Sequence, residues 1–238
     1  MGIAIVCAVA LVAASDNLRA QKHECLVEPY LDVSVSTAVP GILDEVNVDR
    51  GDVVSTGQVL ATLLSDAEKA NYELVKARAE FAARRAERNE EMFLKQMISA
   101  HEKDELETDA QLLTLEVREV EERLKQRTVW SPLDGVVVER MFSPGEFVSD
   151  DPILRLAQVD PLRVEVAVPG TLWGKIKVGM TGQVEWEAPV EGLHPAKVTV
   201  VDPVIDAASG TLGIRLELPN PRRKLPAGTK CWVTFPIE

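Results

Sequence analysis

Histidine, cysteine and aromatic residues are all scarce in this sequence: 238 residues hold three of each of the first two and 5% of the third. His23, His101 and His194 stand far apart, and none forms an i, i+4 pair or joins a Cys-x-x-Cys spacing, so no zinc-ligand arrangement is on offer. There is no Gly-x-Ser-x-Gly elbow, no Gly-x-x-x-x-Gly-Lys phosphate loop and no cysteine with a plausible His and Asn partner. These absences point away from an enzyme, a metal protein and a bound cofactor. Positive charge is also in short supply, with 26 Lys and Arg against 38 Asp and Glu, a net −12. Nucleic-acid binders concentrate cations to displace phosphate counterions, so a nucleic-acid partner is not expected.

Long apolar runs are missing except at the start, where Ile3 to Ala14 is followed by small residues. Those residues would span about 18 Å as a helix, short of the roughly 30 Å hydrocarbon core. The run therefore reads as a signal peptide covering residues 1–20, cleaved after Ala14 or Ala20, with Cys7 leaving in it. Cys25 and Cys231 remain, at opposite ends of the mature chain. They form a possible disulfide in an oxidising compartment if the fold brings their Cα atoms within about 7 Å.

Glycine and proline are both absent from Gln58 to Ser131, which favours helix over most of that stretch. Ala67, Ala70, Leu74, Ala77 and Phe81 step by three and four, as do Leu106, Ala110, Leu113, Val117, Val120 and Leu124. Both sets read as heptad seams, which predicts two helices meeting through them. A break falls at Met97 to Ala100, where Ser99 followed by Glu102 is a capping-box pattern that starts the second helix. Two helices of about 28 residues would each be about 42 Å long. Outside the seams the faces read Glu, Lys, Arg and Gln, so the pair faces mostly water.

The flanks of this stretch repeat each other. Gly41 and Gly135, Gly51 and Gly145, Val54 and Val148, and Leu60 and Leu154 are all separated by 94 residues. Each copy is strand-turn-strand in pattern, with Arg50-Gly51-Asp52 and Ser143-Pro144-Gly145 as turns. One copy alone buries too little to offset its chain entropy, so the two are expected to pack face to face as one sandwich. An antiparallel helical hairpin must then project from the sandwich, since both its ends return there. From Pro161 onward, alternating runs such as Leu162 to Val168 and Ile214 to Leu218 predict a small antiparallel β-barrel, with a short helix over Pro169 to Val178. The fold class is mainly β with an inserted helical hairpin. Its expected domains are a sandwich from 21–66 plus 127–160, the hairpin at 67–126 and a barrel at 161–238.

The doubled unit, with Val39-Pro40-Gly41, Gly51-Asp52-Val53-Val54, Ser131-Pro132-Leu133-Asp134-Gly135 and Pro144-Gly145-Glu146, resembles biotinyl/lipoyl-like barrel-sandwich domains. The hairpin between its halves, together with Asp202-Pro203, Ser209-Gly210-Thr211, Asn220-Pro221 and Leu225-Pro226-Ala227-Gly228, resembles the periplasmic adaptor subunits, or HlyD-like membrane fusion proteins, of bacterial efflux and secretion systems. The resemblance implies a periplasmic protein held at the inner membrane through its transporter. It also implies two partners, an inner-membrane exporter of the resistance-nodulation-division type and a TolC-like outer-membrane channel, and a homo-oligomer, trimer or hexamer. An ABC-type exporter, or a scaffold without transport, is the alternative. In that family the hairpin tip carries Arg, then Leu four residues on, then Ser seven further; here the spacing picks out Arg88, Met92 and Ser99 as channel-docking residues. A swinging-arm carrier is not implied, because Lys69 and Lys76 fall on a helix and not on a tight turn.

Overall fold

The computed structural model describes residues 21–186, 190 and 192–237. The expected signal peptide and Cys7 lie outside the described residues. The chain runs β1 (Lys22–Val35), β2 (Gly41–Val46), β3 (Val53–Val54), β4 (Val59–Leu63), α1 (Asp66–Leu94), α2 (Ala100–Lys125), β5 (Thr128–Trp130), β6 (Gly135–Arg140), β7 (Phe147–Val148) and β8 (Leu154–Pro169). A single 3-10 turn, Gly170–Leu172, then leads to β9 (Thr181–Trp186), β10 (Leu193–Asp206), β11 (Thr211–Leu218) and β12 (Thr229–Thr234). Two compact units result, one built on Pro29–Leu162 and the other on Arg163–Pro219, Leu225 onward and the chain up to Glu28. No helix among the described residues is long and apolar enough to cross a membrane.

In the first unit the two sequence copies exchange partners. β2 of copy one pairs with β7 of copy two, Ile42 opposite Phe147, and β3 of copy one pairs with β6 of copy two, Val53 opposite Val136. The hydrogen bonds repeat with the same symmetry: Leu43 N–H donates to the Glu146 carbonyl and Val137 N–H to the Asp52 carbonyl, both at 2.9 Å. Gly145 N–H reaches Leu43 and Gly51 N–H reaches Val137, both at 2.8 Å. Gly51 and Gly145 share a positive φ, 94° and 90°, a backbone region that side chains with a Cβ avoid. Equivalent apolar positions therefore enter one core: Leu43 with Val137, Val54 with Val148, and Leu60 with Leu154. Burying each Leu of that set stabilises by about 1.5–3 kcal/mol, which neither copy achieves alone.

The helices leave and return on neighbouring strands. β4 pairs with β5, Thr62 opposite Thr128, so the insertion starts and ends side by side. α1 and α2 pack against each other. On α2 the predicted seam is the less exposed one, running Leu106, Ala110, Leu113, Val117, Val120 and Leu124. On α1 the expected stripe is wrong. Ala67, Ala70, Leu74, Ala77 and Phe81 all face solvent, Leu74 and Phe81 at 51% and 57% exposure. The face turned inward instead carries Tyr72, Val75, Ala79, Ala82 and Ala86, with Val75 and Ala82 buried. The cause lies at the helix root, where the Arg127 guanidinium, two residues beyond α2, donates to the Glu68 carboxylate and the Pro40 carbonyl. That contact sets the roll of α1, and positions 72, 75, 79 and 82 follow Glu68 on the same face.

The second unit follows the order β1-β12-β9-β10-β11-β8, with β1 also paired to β8. Its strands alternate cleanly; β11 buries every second residue, Leu212, Ile214, Leu216 and Leu218. Trp186 is buried, and its indole N–H donates to Thr229 Oγ1 at 2.9 Å. Residues 22–28, expected in the sandwich, belong here because β1 pairs with β12 from Lys22 opposite Thr234 to Val27 opposite Thr229. Cys25 faces Cys231 in that register, and the two are joined by a disulfide with Cα atoms 4.8 Å apart. The short helix expected over Pro169 to Val178 is reduced to the 3-10 turn, since Gly174 takes a positive φ and interrupts it.

Candidate functional site at the α1–α2 turn

The turn between the helices is built by two caps. At the end of α1, Gln96 N–H donates to the Phe93 carbonyl at 2.8 Å and Met97 N–H to the Met92 carbonyl at 2.9 Å. This is the paired bonding of a Schellman cap. It needs a left-handed residue, and Gln96 supplies it with φ 57°, at a cost of about 1–2 kcal/mol for a residue with a Cβ. At the start of α2, Ser99 Oγ accepts from Glu102 N–H at 3.2 Å and caps the helix. The Lys103 ammonium lies 5.1 Å from the Phe93 ring centre, tying the two helices across the turn.

Arg88 and Met92 stand one helical turn apart near the end of α1, and Ser99 follows the reversal. All three are exposed, Met92 at 38%. Two further apolar side chains share the turn: Leu94 is 76% exposed and Met97 65%. Sequence reasoning passed over both. The signal was available, since Leu94 and Met97 flank polar Lys95-Gln96 off the heptad seam. The Gln96 conformation carried no such signal, because glycine and asparagine are the usual left-handed caps.

Chemically, this is a convex knob with apolar side chains, a guanidinium and a hydroxyl already committed to a backbone amide. It suits protein contact better than reaction. Elsewhere a cleft of about 480 Å³ opens at the helix root, lined by Asp44, Glu45, Lys69 and Arg127 among others. No group of three or more His, Cys, Asp or Glu suited to a metal ion occurs among the described residues.

Residues 32–158 match the family model of the CzcB-like barrel-sandwich hybrid domain, and residues 161–236 match that of the CusB-like β-barrel domain. A barrel-sandwich hybrid interrupted by two helices and followed by this barrel defines the class of membrane fusion proteins. The chain belongs to that family. Among curated relatives, the efflux pump periplasmic linker BepD of Brucella suis biovar 1 (strain 1330) is 24% identical over 240 residues, covering 87% of this chain and 60% of that protein. An uncharacterized protein of Haemophilus influenzae (strain ATCC 51907 / DSM 11121 / KW20 / Rd) is 24% identical over 219 residues, 90% of this chain and 57% of the other. The chain thus spans three-fifths or less of the length of these relatives. A MacA-MexA chimera containing the Pseudomonas aeruginosa MexA α-hairpin domain shares the fold with a TM-score of 0.79 at 20% identity, over 92% of this chain and 79% of that one.

Proposed function

We propose that this chain is a periplasmic adaptor linking an inner-membrane exporter to an outer-membrane channel, with α1 and α2 acting as a projecting antiparallel coiled-coil hairpin. The observation that carries this reading is the capped turn, which presents Arg88, Met92 and Ser99 beside exposed Leu94 and Met97. The doubled sandwich holds the hairpin root. We favour an exporter of the resistance-nodulation-division type, because the barrel matches a model of that group.

Self-association belongs to the same reading. The α1 stripe of Leu74 and Phe81 and the α2 residues Leu112 and Leu115 are all more than half exposed.

Crosslinking to the channel in cell envelopes tests the docking residues. Arg88→Asp and Ser99→Arg are expected to abolish capture with the far-ultraviolet circular dichroism unchanged. Ser99→Asp keeps the helix cap, since Asp caps as well as Ser. Loss of capture in Ser99→Asp therefore separates docking from capping. Undiminished capture in all three variants would refute the assignment.

A further inference from the structure

We propose that the barrel unit carries a binding patch for anionic phospholipid headgroups on the segment joining β8 to β9 and the neighbouring part of β10. Residues 166–184 contain no Asp or Glu, although 38 of the 238 residues in the chain are acidic. Lys175 and Lys177 lie inside this acid-free stretch, and Lys197 of β10 joins them, paired with Thr181 across the sheet. All three lysines are exposed, and none makes an ion pair among the described residues.

The segment is held in place. Ile176 is 2% exposed and pins it to the barrel core. Its backbone is tied by Lys175 N–H to the Leu172 carbonyl at 3.0 Å and by Gly179 N–H to the Val198 carbonyl at 2.9 Å. Around that anchor the apolar side chains point outward: Trp173 is 50% exposed and Val178 65%. Gly170 N–H bonds the Gly210 carbonyl at 2.9 Å, and Ile205 methyls lie 3.1 Å from where a Gly170 Cβ would stand. This brings Ile205 and Val204 of β10, 40% and 74% exposed, beside the Trp173 turn.

An indole at a rim of lysines on a fixed turn is the combination suited to the lipid–water interface. The ring lies at headgroup depth, short apolar side chains reach the acyl boundary, and ammonium groups meet phosphates. Three carboxylates border the patch from outside the acid-free stretch: Glu217 of β11 opposite Lys197, and Asp202 and Asp206 of β10. Asp206 accepts from Ala208 N–H at 2.8 Å, which keeps it ionised, and Asp202 lies within electrostatic reach of Arg215, whose guanidinium donates to Glu165. The charge offered to headgroups is that of Lys175 and Lys177, on the acid-free turn beside Trp173.

The test uses the full chain with phosphatidylcholine vesicles prepared with and without phosphatidylglycerol, read by co-sedimentation. Binding is expected only with the anionic lipid and is expected to fall with added salt. Each lysine near an anionic surface contributes about 1 kcal/mol, so Lys175→Gln with Lys177→Gln should weaken partitioning about thirtyfold. Bromine-labelled phosphatidylglycerol should quench tryptophan emission in the parent chain and much less in Trp173→Phe. That second reading is insensitive to membrane attachment elsewhere in the chain. Equal quenching in Trp173→Phe, equal partitioning of the lysine variant, or displacement by millimolar inorganic phosphate would overturn the proposal. Such a result would leave the adaptor reading standing, because the hairpin residues are not involved.

Discussion

A carboxylate placed at Ala82 and another at Ala77 should have opposite consequences, and the difference measures which face of α1 meets α2. Ala82 is 6% exposed on the inward stripe, whereas Ala77 faces solvent. The intrinsic helix cost of Ala→Glu is the same at both sites and cancels in the comparison. At Ala77 nothing else changes, so the effect should stay within about 0.5 kcal/mol. At Ala82 four extra heavy atoms must fit where a methyl packed, at about 1–3 kcal/mol, and the charge loses water on top of that. A total of about 3 kcal/mol follows, or a fall in Tm of about 6–12 °C for a chain of this size. Far-ultraviolet circular dichroism reads this well, because 29 and 26 residues lie in the two helices. If Ala77→Glu melts as early as Ala82→Glu, the inward stripe has been assigned to the wrong residues.

Two further outcomes concern the barrel. The Cys25–Cys231 bridge spans 206 residues, and loop-closure entropy gives it about 5 kcal/mol of stabilisation. Cys25→Ala with Cys231→Ala should therefore lower the urea midpoint read by tryptophan fluorescence, and an unchanged midpoint would contradict the pairing. Burial holds the His23 imidazole below its ordinary value of 6.5. Between its folded value and 6.5 the unfolded chain binds more protons, so barrel stability is full above about pH 6.5 and falls as the solution is acidified through that window. His23→Gln should flatten this slope in denaturation curves taken across it, and an unaltered slope would assign the effect to another group.

The doubling of the sandwich was legible because a fixed 94-residue offset survives in turn glycines and core positions alike. What could not be read was that β2 and β3 each pair with the opposite copy, since the same alternating pattern fits pairing within a copy. The Ser99 cap was legible from a local rule, while Gln96 in the left-handed region was hidden behind an unremarkable polar residue.

The α1 stripe shows where sequence patterning stops. Two apolar stripes of heptad spacing run along the same helix, and periodicity gives no reason to prefer one, so the larger side chains of Leu74 and Phe81 drew the wrong choice. By itself the sequence determined the class of fold, the repeat, the helical insertion and the cap that starts α2, because these depend on contacts within a few residues or on composition. Only the tertiary structure decided the rest. Arg127 reaching Glu68 across the helix root set the roll of α1, and the β1–β12 register brought Cys25 to Cys231 and drew residues 22–28 into the barrel. Each of these joins residues far apart in the chain, and no local pattern encodes such a meeting.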